Sequence, residues 1–213
     1  MAAAARRERV GVFAFDEGVG TVFARAAGLG MPLQVHVDSG QIRVQQIDPA
    51  EMSPGEFAHQ VRHGVEHDGY RVIIIDSLID SLNGYMNAMP EERFLVLQMH
   101  ELLSTLNQLG VITILVLAQH GLMGPMQTPL DISYLSDAVL MLRYFEAEGR
   151  VRRAISVVKK RSGAHEDAIR EFRLTAEGVK VGPPITEFQG ILSGVPNYRG
   201  AASPLLPTES PQD

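Results

Sequence analysis

Apolar and polar positions along the chain alternate between two patterns, unbroken apolar runs of strand length and apolar lines at helical spacing. Arg9 to Phe15 carries Val10, Val12, Phe13, Ala14 and Phe15 and stops abruptly at Asp16-Glu17. A run of that kind predicts a strand covered on both faces. Val22 to Ala27 reads as a helix ending at Gly28 and Gly30, and Gln41 to Ile47 as a second strand. Ser53-Pro54-x-Glu56 predicts a helix start, with a hydroxyl cap, proline in the first turn and an acid three residues beyond the cap. The apolar line of that helix is Phe57, Val61 and Val65. Arg71 to Ile75, β-branched from Val72 onward, predicts another buried strand, followed at once by Asp76-Ser77. Pro90 to about Leu109 predicts a long helix with Phe94, Gln98, Leu102, Leu106 and Leu109 near one face, closed by Gly110. Val111 to Ala118 predicts a further buried strand, ending at Gln119-His120.

Strands alternating with helices imply right-handed crossovers and a parallel sheet. The pattern then changes. Ala138 to Phe145, a turn at 146–149 and Val151 to Val158 predict a hairpin, with a further strand at Ile169 to Leu174. This reads as an antiparallel extension at one edge of the sheet. The expected organisation is a flexible leader over 1–8, one α/β domain over 9–198 and a disordered Pro- and Ser-rich tail over 199–213.

Composition narrows the function classes. The 213 residues are 45% hydrophobic and 21% charged, which fits one globular domain. A net charge of −6 argues against nucleic acid as a partner, because duplex binding depends on clustered Lys and Arg. The absence of cysteine excludes disulfides and thiolate metal sites and fits a cytoplasmic location. No secretory signal or membrane-length apolar run is present. His59, His63 and His67 recur every fourth residue, two positions off the apolar line of their helix. That offset places them on its solvent face, and no partner carboxylate supports a metal reading.

Candidate chemistry lies at the ends of the strands, where open parallel sheets bind ligands. Four apolar residues followed by Asp76 form a Walker B-like pattern, suited to holding hydrated Mg²⁺. Asp16 and Glu17 suit a catalytic role in polarising a water for attack on a γ-phosphate. Gln119 suits an amide contact to that phosphate or water. Ser77, next to Asp76, is a further nucleotide-contact candidate. A basic cluster follows the hairpin: Arg150, Arg152, Arg153, Lys159, Lys160 and Arg161, leading into Gly163 and His165. Arg150 and Arg152 read as a solvated hairpin face. For Lys159, Lys160 and Arg161 two readings stand, the same solvated face or a phosphate clamp.

Together, Ile73-Ile-Ile-Asp-Ser-Leu78, Asn83-Gly-Tyr85, Ala118-Gln-His-Gly121, Leu142-Arg-Tyr-Phe-Glu146, Arg153-Ala-Ile-Ser-Val157 and Lys159-Lys-Arg-Ser-Gly-x-His-Glu-Asp167 resemble a KaiC-like ATPase domain of the RecA superfamily of P-loop NTPases. The resemblance runs from about Val10 to Tyr198. It implies a RecA-like sheet flanked by helices, ATP and Mg²⁺ as ligands, and homo-oligomeric or mixed rings of KaiC-type subunits with ATP between neighbours. It places Asp16 and Glu17 on the family's paired catalytic glutamates, the first an Asp here, and Asp76 on the Walker B aspartate. Arg153, Lys159, Lys160, Arg161 and His165 fall where the family contacts the neighbour's nucleotide. Clock members phosphorylate a Ser-Thr pair, and the matching place here is Ser133-Tyr134, leaving Ser133 as the phosphorylation candidate. The chain departs from the family in one larger respect. Its three lysines are Lys159, Lys160 and Lys180, and no G-x-x-x-x-G-K-[ST] phosphate loop occurs in these 213 residues. Hydrolysis of ATP is therefore expected of the intact domain form. The alternatives are a non-catalytic regulatory subunit of a KaiC-type ring or signalling system and, less favoured by charge, a recombinase-like DNA-binding module.

Overall fold

The structure is a computed structural model that describes residues 1–15, 17–77, 95–117, 136–147, 149–192, 196–198 and 200. They divide into two compact units, Met1–His120 with Leu174–Val179, and Gly121–Arg173 with Lys180–Asp213.

The first unit is built on the apolar runs. Strands β1 (Arg9–Ala14), β2 (Ile42–Gln46), β3 (Tyr70–Asp76) and β4 (Ile112–Leu115) form a parallel sheet in the order β2-β1-β3-β4. Alternate residues of each strand face opposite sides. On one side Val10, Ile42 and Val72 form a core with Ala4, and Leu33 and Val37 pack against it. Ala4 belongs to a single helical turn, α1 (Ala2–Ala5), within the stretch read as a leader. Leu33 and Val37 belong to α3 (Leu33–Asp38), a short helix that the apolar pattern did not announce. Between β1 and α3 lies α2 (Val19–Gly28), which starts earlier than its sequence pattern.

The other side carries Phe13, Ile73 and Ile75, all buried. It is covered by α4 (Pro54–Glu66) and α5 (Leu95–Gln108), which pack on each other and on β3 and β4. Phe57 of α4 is the centre of this layer. Its ring meets Phe13 at 5.5 Å and Phe15 at 5.1 Å, both edge to face, and only 1% of the residue is exposed. Leu102 and Leu106 of α5 are buried too. The capping box at Ser53 forms as its composition predicts: Glu56 N–H donates to Ser53 Oγ at 3.2 Å, and Ser53 N–H donates to Glu56 Oε2 at 2.8 Å. His59, His63 and His67 lie exposed on the opposite face of α4, with the rings of His63 and His67 stacked at 4.2 Å.

β4 differs from its expected burial. Ile112 is 55% exposed and Ile114 46%. They share the register of Val72 and Ile74, the side covered by α1 and α3, and that cover does not include β4. Apolar composition records what a strand could bury, whereas its neighbours decide what it does bury. Gly30, with φ +68°, lies against the Ala176 carbonyl oxygen, which stands where a side chain would begin. Backbone conformation and backbone contact both require glycine there.

A second sheet consists of β5 (Ala138–Ala147), β6 (Arg150–Lys160), β7 (Arg170–Thr175) and β8 (Gly178–Pro184) in that order, its residues belonging to the second unit apart from those within Leu174–Val179. β5 with β6 and β6 with β7 are antiparallel. Phe145, Ala147, Ala154 and Ile191 form its core, with Phe188 packed against them. Phe188 lies in β9 (Phe188–Gln189), which pairs with β10 (Asn197–Tyr198). Among the described residues no helix is long and apolar enough to cross a membrane.

Two outcomes test this packing. Phe57→Ala is expected to lower the unfolding free energy by about 3–5 kcal/mol in urea titrations, because ring burial and two edge-to-face contacts are lost together. The hydrogen bonds from Ser53, the backbone N–H first and the hydroxyl second, hold the Glu56 carboxyl below its ordinary range. A depressed carboxylate stabilises above its unfolded pKa and loses that contribution as pH falls through the folded value. Glu56→Gln should therefore melt below the parent at neutral pH, with the gap closing as pH falls through the depressed folded pKa in melts followed by circular dichroism.

Candidate active site

β1 and β3 are neighbours in the sheet, but the chain leaves them in opposite directions. From β1 it crosses through α2 and α3 to β2 on one side, and from β3 through α5 to β4 on the other. Loops that part in this way open a crevice beyond the strands' carboxyl ends, the place where open α/β sheets hold ligands. Ala14 pairs with Asp76 at that rim, and Phe15 N–H donates to the Asp76 carbonyl oxygen at 2.7 Å. Glu17 lies three positions beyond the end of β1, and Asp76 is the last residue of β3.

Arg25, from the last turn of α2, joins the two acids. Its Nη1 donates to Glu17 Oε1, and its Nη2 to Asp76 Oδ2 at 3.5 Å. The second carboxylate oxygen of Glu17, Oε2, is buried and accepts no hydrogen bond among the described residues. A buried acceptor left unpaired costs about 1–3 kcal/mol, which a water or ligand proton at that point would recover. Arg25 itself is about half exposed, and ion pairs of that kind contribute about 0–1 kcal/mol. It is thus placed over the acids more firmly by geometry than by energy. Ser77 is 3% exposed, and the Asp76–Ser77 peptide is cis. Asp16, Gln119 and Ser133 lie outside the described residues. Glu17, Asp76 and Ser77 are thereby gathered at one rim. Arg25 was missed from the sequence, where an arginine among alanines reads as ordinary helix surface.

The basic candidates lie in the second unit, and the sheet separates them. Arg153 pairs with Tyr144, and its guanidinium carbon sits 5.5 Å from that ring's centroid. Its Nε is buried with no hydrogen-bond partner among the described residues. Lys159 pairs with Val139, whereas the next residue, Leu140, pairs with Val157. Val158 is thus an extra residue, a β-bulge. Because Tyr144 and Val139 are an odd number of residues apart, their partners Arg153 and Lys159 occupy opposite faces. Beyond the strand, Lys160 Nζ donates to the Ala164 carbonyl oxygen at 3.1 Å and closes the turn around Gly163. Arg161 Nε lies 3.3 Å from Asp137 Oδ1. His165 is exposed. Two of the clamp candidates therefore hold their own turn and strand end together, and Arg153 faces away from Lys159.

A parallel sheet with acids at its switch point, accompanied by an antiparallel sheet, defines an α/β protein of the RecA-like kind. The chain matches a family model described as "ATPase: KaiC" over residues 1–186, and it belongs to that family. It is 27% identical to the circadian clock protein KaiC3 of Synechocystis sp. over 195 residues, which cover 91% of this chain and 38% of that protein. It is 27% identical over 165 residues to the circadian clock oscillator protein KaiC of Parasynechococcus marenigrum, covering 78% of this chain and 27% of that one. Over 70 residues, 33% of this chain and 14% of the relative, it is 41% identical to the KaiC of Prochlorococcus marinus. The chain spans well under half the length of these relatives.

Proposed function

We propose that this chain supplies the acid half of an ATP-hydrolysing site, acting with Mg²⁺, in an oligomer of KaiC-type subunits. The observation that carries the reading is the pair Glu17 and Asp76 at the switch point, with Glu17 Oε2 buried and without a hydrogen-bond partner among the described residues. Glu17 is the group to orient and deprotonate the attacking water, since its Oε2 already lacks a donor. Asp76 would hold the hydrated cation, and Asp16 and Ser77 would complete the rim. Gln119 would contact the γ-phosphate or the water. Mg²⁺, when bound with ATP, neutralises charge on the phosphoryl oxygens. The donor set fits it, being carboxylate and hydroxyl oxygen rather than nitrogen or sulfur. A cytoplasmic location and a role in signalling belong to the same proposal, as does phosphorylation at Ser133.

The phosphate loop pattern is missing from these residues, so the chain alone is expected to release phosphate from ATP no faster than its Asp76→Ala variant. Fusing the phosphate-loop segment of a KaiC relative ahead of Met1 should create hydrolysis, which Glu17→Gln lowers by about 100-fold. Equal rates in the Glu17→Gln and parent fusions would remove the general-base role. A fusion that folds and binds ATP without hydrolysing it would favour a regulatory, non-catalytic subunit.

The basic strand end is proposed to serve a neighbour's nucleotide. In a water-poor interface a guanidinium aimed at a γ-phosphate raises the rate by about 10³-fold in the best cases. Lys159 and Arg161 are the residues in question, with Arg153, Lys160 and His165 in support. Mixing the chain with an intact relative whose own finger residues are alanine should restore hydrolysis. The Lys159→Ala, Arg161→Ala version should not. If mixed complexes form and both versions behave alike, the cluster is a solvated hairpin end.

A further inference from the structure

The geometry points to Arg25 as a built-in counter-cation of the acid pair, which a divalent cation must displace before Glu17 and Asp76 can hold it. This rests on the metal-holding reading of Asp76. A planar guanidinium presents several N–H donors in a fixed fork, so one side chain can engage two carboxylates at once. Arg25 does so here, with one terminal nitrogen on each acid. A hard dication needs the same oxygen lone pairs. The two cations therefore compete for one set of acceptors, and the apparent affinity for the dication falls by the fraction of molecules in which Arg25 is seated.

The side chain is suited to leaving. It is 51% exposed, so water can solvate the guanidinium once it swings out. It also stands in the last turn of α2, where a positive charge is favoured by the helix carbonyls whether or not it touches the acids. Glu17 keeps one oxygen on Arg25 and one buried without a partner among the described residues, so the arginine fixes the carboxylate while leaving half of its acceptor capacity for the incoming cation or its water. Arg25 thereby offsets one of the pair's two negative charges, and cation entry coincides with release of a positive side chain beside the crevice.

Binding of Mn²⁺ to the full chain, followed by electron paramagnetic resonance without nucleotide, tests this directly. Arg25→Gln should bind Mn²⁺ about tenfold more tightly than the parent at low salt, and the gap should shrink as ionic strength rises. Arg25→Lys, which keeps the charge, should stay close to the parent. Arg62→Gln removes a charge on α4 instead and should change little. The tightening should disappear when Asp76→Asn is added to Arg25→Gln. Equal affinities for parent and Arg25→Gln, with both folded by circular dichroism, would overturn the counter-cation role while leaving the metal reading of Asp76 in place. Absence of Asp76-dependent binding in every variant would overturn both.

Discussion

Two adjacent parallel strands whose connections run in opposite directions are the constraint on which the site depends. A right-handed crossover from β1 must pass on one side of the sheet to reach β2, and one from β3 must pass on the other to reach β4. Strands that diverge in this way leave a crevice at their carboxyl ends where a ligand fits. Ala14 and Asp76 are held side by side by the ladder, which brings Glu17 and Asp76 to one crevice although 59 positions separate them in the numbering. The buried layer beneath, with Phe57 between Phe13 and Phe15, fixes the strand ends that carry the acids. Stability and site geometry thus share one set of contacts.

Electrostatics at the crevice follow from that placement. Two carboxylates brought together repel unless a cation lies between them, and Arg25 supplies one from the same unit. The second unit treats its charges differently. Lys160 and Arg161 secure a turn and a strand end, so part of a conspicuous basic cluster is committed to local structure. A cluster in sequence is not a cluster in space when an extra residue intervenes.

Much of the fold was legible in the residues. Unbroken runs at Val72-Ile-Ile-Ile75 and Val10 to Phe15 read as covered strands and fold as such, and Ser53-Pro54-x-Glu56 announced its helix by capping chemistry alone. What escaped has physical reasons. α3 is six residues long and carries a single pair of inward apolar residues, too little periodicity to see. β8 interleaves Gly, Lys and Pro, and β9 and β10 are two residues each. The exposure of Ile112 and Ile114 depends on which helices reach β4, which no local pattern encodes. Asp76 was readable because a carboxylate ending an apolar run is locally odd. Arg25 was not, since its significance comes from residues eight and fifty-one positions away.

The bulge at Val158 makes the face on which Lys159 sits a question of parity. Every residue of β6 before it keeps one phase of the pleat, and every residue after it keeps the other. Loss of one codon at Val158 would straighten the strand and leave Lys159 opposite Val139, still on the face away from Arg153 and Tyr144. Charge, composition and length would scarcely change. Among homologous chains, a gap of one residue at this point therefore leaves the basic terminus on its present face, whereas a strand of unchanged length that pairs without the bulge turns it over.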